Sequence, residues 1–257
     1  MIRVAAIGDV HFSQDSRGKL RDYWKRLAEC ADIFLIAGDL TTHGEARQVA
    51  VLADELEGAG VPIVAVLGNH DYHNDEQREV RRTLERKGII VLEGESVSLT
   101  INDVSVGIAG TKGFGGGFAG ACGSAFGERE MKEFVYHTER LATRLQDELS
   151  QLKTDYRIAL LHYAPVKETL EGERLEIYPF LGSYLLAEAI DGVGADLALH
   201  GHAHHGQEKG VTPGGVPVRN VALPVLRHAY AIYHLEKSAM IKQPALEAKL
   251  GASGRSL

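Results

Sequence analysis

The stretch PIVAVLGNHD, Pro62–Asp71, is an apolar run of strand length that stops at Gly68 and then delivers an amide, an imidazole and a carboxylate. Two earlier segments share this design: RVAAIGDVH (Arg3–His11) and DIFLIAGDL (Asp32–Leu40). Between and after them lie helix-like, more polar segments, Leu20–Cys30, Glu45–Glu57 and Asp75–Lys87. Short β-rich runs spaced by helices predict βαβ units and a sheet with helices on its faces. Further on, Ser96–Ile101 and Val104–Ala109 flank Asn102-Asp103 and read as a hairpin. A long helix is expected from about Glu128 to Leu152, then strands at Arg157–Leu161, Asp196–Leu199 and Ala229–Leu235. Residues 1–235 are expected to form a single domain, and 236–257 a polar C-terminal tail, frayed or docking as a helix.

Composition narrows the function classes. A chain of 257 residues with 44% hydrophobic and 25% charged residues is ordinary for one globular core. Its net charge of −7, from 28 basic and 35 acidic residues, opposes a general nucleic-acid coat, which needs a basic face. The apolar part of MIRVAAIGDVHF is too short for a secretory leader, and no run is long enough to span a bilayer. Two cysteines, Cys30 and Cys122, cannot form a disulfide framework. A soluble cytoplasmic protein is therefore expected, with no membrane partner.

Each apolar run ends in residues that could act chemically. To GDVH, GDL and GNHD are added LHY (Leu161–Tyr163) and LHGHAHHG (Leu199–Gly206). Ligands of open α/β sheets bind beyond the carboxyl ends of strands, so these segments would share one rim. His200, His202 and His204 alternate, and would share a face if the chain stays extended through Gly201. A pair of divalent cations needs a carboxylate between them, further imidazole and carboxylate ligands, and an anionic substrate to offset the remaining charge. The surplus of positive charge points to phosphate esters.

The motifs D-x-H, G-D, G-N-H-D, H and G-H-x-H, in this order from Asp9 to His204, resemble the calcineurin-like metallophosphoesterases. The resemblance implies an α/β fold, a sandwich of mixed β-sheets flanked by helices in αββα layers. It also implies two divalent metal ions, of manganese, iron or zinc. Asp9, His11, Asp39 and His204 would hold one, and Asp39, Asn69, His162 and His202 the other. His70 would protonate the leaving oxygen. Asp71 is the nearest sequence candidate to orient His70. His200 and His205 fall outside the motif, His200 as a strand-end residue and His205 on the surface.

The segment Gly107–Gly127 holds nine of the 29 glycines. Its formal G-x-G-x-x-G at Gly115, Gly117 and Gly120 is a weak match, and the segment reads as a mobile loop at the site rim. From it Lys112 could meet a substrate phosphate, and Phe114 or Phe118 could stack on a base or ring. Gly172–Phe180 is a candidate for the opposite rim.

Departures from related subfamilies narrow the substrate. Protein phosphatases that share these motifs carry G-D-x-V-D-R-G, whereas here Thr42 and His43 stand where the Asp and Arg would be. GDLTTHGE looks most like small bacterial phosphohydrolases, cyclic-nucleotide phosphodiesterases among them. The expected activity is hydrolysis of small phosphate esters, nucleotides included, with phosphodiesters slightly ahead of monoesters. The alternatives are a nuclease, a protein or lipid phosphatase, or a non-catalytic scaffold on the same fold.

Overall fold

The computed structural model describes residues 1–236, so the expected tail lies, from residue 237 on, outside the described residues. The first half supplies strands β1 (Ile2–Ile7), β2 (Ile33–Ala37), β3 (Ile63–Val66) and β4 (Ile90–Val91). Between them run helices α1 (Arg21–Trp24), α2 (Leu27–Cys30), α3 (Ala46–Leu56) and α4 (Gln77–Glu85). The hairpin β5 (Glu95–Ile101) and β6 (Val104–Thr111) follows, then the small ribbon β7 (Gly117–Phe118) and β8 (Ala121–Cys122). After α5 (Arg129–Gln151) come β9 (Tyr156–Leu161), α6 (Tyr178–Leu181), α7 (Tyr184–Val193) and β10 (Leu197–His200). The described chain ends with β11 (Lys209–Val211), β12 (Pro217–Asn220), α8 (Leu223–Leu226) and β13 (Ala231–Leu235).

Two large mixed sheets result, ordered β13-β1-β2-β3-β4 and β11-β12-β10-β9-β6-β5. In the first, β1 to β4 are parallel and β13 returns antiparallel to β1, pairing Leu235 with Ile2. In the second, β12, β10, β9 and β6 are parallel, with β11 and β5 antiparallel at the edges.

Strand alternation sorts the side chains into three cores. Val4, Ala6, Ile33, Leu35 and Val64 face Ile108, Ile158, Leu160 and Leu199 between the sheets. Ala5, Ile7, Phe34 and Ile36 point the other way, onto Val49, Leu52, Val80 and Leu84 of α3 and α4. Ala159, Leu161 and Ala198 pack beneath Leu145, Leu149, Leu186 and Ile190 of α5 and α7. The layers are thus αββα. Burial on both faces explains why the central strands read as unbroken apolar runs.

One expected helix is broken. Leu20–Cys30 forms two single turns parted at Lys25 and Arg26. Trp24 is fully buried between Phe12 and Phe34, and its indole N–H donates to the Ala229 carbonyl at 3.2 Å. Tertiary anchoring here overrides local helix preference.

Candidate metal centre

The polar strand ends converge because both sheets end at the same rim. Turns after β1, β2 and β3 bring Asp9, His11, Asp39, Asn69 and His70. Those after β9 and β10 bring His162, His202 and His204. The first turns are laced by backbone hydrogen bonds: Asp9 N–H to Gly38 O at 2.9 Å, His11 N–H to Asp39 O at 3.0 Å, Phe12 N–H to Leu40 O at 2.9 Å. Glycines let the elements close on one another. A Cβ at Gly38 would lie 2.5 Å from the His162 ring nitrogen, and side chains at Gly68 or Gly201 would overlap the carboxylates of Asp39 or Asp9.

Asp9, His11, Asp39 and His202 all adopt positive φ, at 56°, 42°, 49° and 70°. Such backbone costs on the order of 1–3 kcal/mol per residue and persists only where surrounding contacts over-determine it. The contacts are present: His70 N–H donates to Asp39 Oδ1 at 2.9 Å, and His202 N–H to Asp9 Oδ2 at 2.9 Å. The positive φ at His202 corrects the expectation of an extended segment through Gly201. The strand stops at His200, Ala203 N–H turns back to the Gly201 carbonyl at 2.8 Å, and His202 and His204 diverge to different neighbours.

Two groups of ligand-type atoms form, each within 4.8 Å: Asp9, His11, Asp39 and His204 in one, and Asp39, His162 and His202 in the other. Asp39 belongs to both. Asn69 joins the second, its Oδ1 2.9 Å from His162 Nε2. The donor chemistry of that group fits a cation. His162 Nδ1 lies 2.9 Å from the Ala37 carbonyl, while its Nε2 faces Asn69 Oδ1 at 2.9 Å and Asp39 Oδ1 at 3.3 Å. All three partners are electron-pair donors and a neutral imidazole carries one proton, so with the proton on Nδ1 a cation at Nε2 would satisfy the rest. In the other group His11 Nε2 is buried without a hydrogen-bond partner, 3.7 Å from Asp39 Oδ2. Burial pushes His202 down to about 3 and also lowers His11, holding both neutral as ligation requires. His204 is shifted upward by its 2.9 Å hydrogen bond to Asp9.

His70 borders the cleft, its Nδ1 2.8 Å from the Thr42 carbonyl and its Nε2 3.9 Å from Asp39 Oδ2. This corrects the expectation for Asp71. Its carboxylate is fully buried and accepts from Leu40 N–H, Thr41 N–H, Thr41 Oγ1 and Gly68 N–H at 2.7–3.0 Å, so it does not touch the His70 ring. Burial and the nearby Asp39 charge raise it to about 6. Asp71 binds the β2 and β3 turns together, and the Thr42 carbonyl orients His70. Sequence spacing could not show a backbone partner. Thr41, a buried hydroxyl beside the G-D motif, was the available signal.

His200 is buried, with Nδ1 2.7 Å from Gly201 O and Nε2 2.8 Å from Thr169 Oγ1, and burial pushes it down to about 4. His205 is exposed. The glycine-rich segment is tied down rather than free-standing. Gly116 N–H donates to Pro179 O, Gly117 N–H to Gly182 O, and Thr138 Oγ1 to Gly115 O. Phe118 is buried and not available for stacking. Phe114 packs against Phe134, His137 and Tyr163 with ring centroids 5.2, 4.8 and 5.7 Å away. Lys112, mostly buried, has its pKa lowered by desolvation, and its carbonyl accepts the His162 N–H at 3.1 Å. Gly172–Phe180 does border the centre: Phe180 O lies 3.2 Å from His202 Nε2, while the Phe180 ring is exposed.

A sequence profile for the calcineurin-like phosphoesterases matches residues 2–206. The chain belongs to the calcineurin-like phosphoesterase family and is a metal-dependent phosphoric ester hydrolase. The family works with two metal ions. No curated protein matches significantly. Among solved structures, phosphopantetheinyl hydrolase from Mycobacterium tuberculosis is 14% identical with a TM-score of 0.65, over 91% of this chain and 96% of that one. TT1561 of Thermus thermophilus is 17% identical, TM-score 0.55, over 91% and 98%. GAP50, the anchor in the inner membrane complex of Plasmodium, is 13% identical, TM-score 0.55, over 87% and 72%. At these identities the likeness is one of fold. Among the described residues no helix is long and apolar enough to cross a membrane.

Proposed function

We propose that this protein hydrolyses small phosphate esters, nucleotides among them, with diesters ahead of monoesters. The observation that carries this reading is the Asp39 carboxylate shared by two ligand groups. Asp9, His11, Asp39 and His204 would hold one ion, and Asp39, Asn69, His162 and His202 the other. Manganese, zinc and iron all suit such imidazole–carboxylate donors. When bound, a pair of divalent cations polarises the phosphoryl group and makes water nucleophilic at neutral pH.

The chain's own residues supply the rest. His70 Nδ1–H donates to the Thr42 carbonyl, which leaves Nε2 facing the cleft to exchange a proton with the leaving oxygen. Asp71 acts as a positioning residue by fixing the turn that carries Thr42. Lys112 and Phe114 contact substrate rather than metal.

The test is hydrolysis of a chromogenic phosphodiester and its matching monoester by protein stripped with chelator and refilled in turn with manganese, zinc and iron. Metal-restored activity with the diester ahead is expected. A dominant monoester would reverse the diester preference. Inactivity towards both esters with two metals bound would overturn the hydrolase reading for such substrates.

A further inference from the structure

Immediately after β6, the Lys112 ammonium sits among three aromatic rings, 5.1, 4.9 and 5.2 Å from the centroids of Tyr72, Phe114 and Tyr163. Ring faces attract a cation but leave its N–H groups without lone-pair acceptors of normal strength. The acceptor facing Nζ is the Gly113 carbonyl at a long 3.4 Å, and among the described residues Lys112 makes no ion pair. The Glu93 and Asp39 carboxylates act on this ammonium through space, but neither bonds to it directly, and burial makes its unused N–H groups costly unless an anion reaches them.

The cage is built from the same turns as the metal centre. Tyr72 lies in the short 3₁₀ turn that starts at His70, and Tyr163 follows His162, with its ring 4.3 Å from that of His202. The Tyr72 hydroxyl is fixed in turn by donating to Glu93 Oε2. Glu93 Oε1 is buried with no hydrogen-bond partner, yet Lys112 does not close on it. Lys112 thus acts on Glu93 through space, without the direct ion pair that would use up its N–H groups.

Building on the hydrolase reading above, we infer that Lys112 is a specificity-determining contact for the phosphate oxyanion of the substrate. Glu93, acting through Tyr72, is the positioning residue that holds the ammonium in its cage beside the ligand turns. Neither Glu93 nor Tyr72 belongs to the motif set that defines the metal ligands.

The experiment compares wild type, K112M, K112R, E93Q and the double variant K112M/E93Q, each loaded with manganese. Three quantities are read: metals per chain, the dissociation constant of inorganic phosphate by calorimetry, and kcat and KM for the chromogenic ester. K112M should keep its metals but weaken phosphate binding and raise KM about tenfold or more, the size of a lost charged hydrogen bond. K112R should recover part of both, and E93Q should raise KM by a smaller factor with kcat little changed. If K112M is unstable because Glu93 is left unpaired, the double variant restores folding, and phosphate affinity should stay weak. Phosphate affinity and KM within twofold of wild type in K112M or in the double variant would make Lys112 a structural cation and overturn the proposal. Absence of metal or of ester hydrolysis in wild type would instead strike the hydrolase reading, with phosphate binding still reporting on Lys112.

Discussion

The two ligand groups share Asp39 but differ in depth. His162 is completely buried between the sheets, with its ring locked by the Ala37 carbonyl and by the absence of a side chain at Gly38. In the other group the side chains of His11 and His204 remain 24% and 36% exposed. One group is thus anchored by a fully buried imidazole beside half-buried His202 and Asn69, whereas the other sets two partly exposed imidazoles beside the buried Asp9 and Asp39. The contrast teaches that a single carboxylate can tie an inner, preorganised position to an outer one open to solvent exchange. If ions occupy the two groups as proposed, the one at His162 should be held more tightly and the one at His11 and His204 should exchange more readily.

Substitutions can break this asymmetry, and Asp39→Asn should have the largest effect. Loss of an outer-shell partner typically costs 10–100-fold in metal affinity or activity, so loss of the shared ligand should cost at least about 100-fold in kcat/KM. Next, His162→Ala should remove the inner metal and also lower the denaturation midpoint, because it opens a void in a dry interior. His204→Ala should lose only the outer metal and leave the midpoint of the metal-free protein nearly unchanged. Equal destabilisation by the two would erase the distinction.

His70→Ala separates ligation from proton transfer. Both metals should stay bound while turnover falls by about 10²–10⁴-fold, the range for a lost acid–base group. Metal loss in this variant would show that His70 has been misplaced. Asp71→Asn should cost about 1–3 kcal/mol in chemical denaturation, since an amide nitrogen would meet a backbone N–H that now donates to the carboxylate. The mildest probe is partial chelation. Dilute chelator should withdraw one metal per chain quickly and the second slowly, followed by metal analysis over time, and a single rate for both would contradict the difference in depth.

Much of this was legible in the sequence because the relevant signals are local. The central strands are runs buried on both faces, and β1, β2 and β3 stop just before a glycine followed by a polar residue. The hairpin around Asn102-Asp103 and the helix Arg129–Gln151 were readable for the same reason, the latter expected within a residue of its observed ends. What escaped depends on contacts between distant segments. The Thr42 carbonyl takes over the partner role expected of Asp71, and no side-chain pattern encodes a carbonyl. Trp24 breaks a helix-like segment by reaching Ala229, and the glycine-rich segment is pinned by Pro179 and Gly182. The aromatic cage of Lys112 draws on Tyr72, Phe114 and Tyr163, from three different turns.

The most direct test of the shared carboxylate is a count of metals per chain after identical manganese loading of wild type, His204→Ala and Asp39→Asn. Two, one and none are the expected values. A single metal retained by Asp39→Asn, as in His204→Ala, would mean that Asp39 serves only one position and that the two groups are not joined through it.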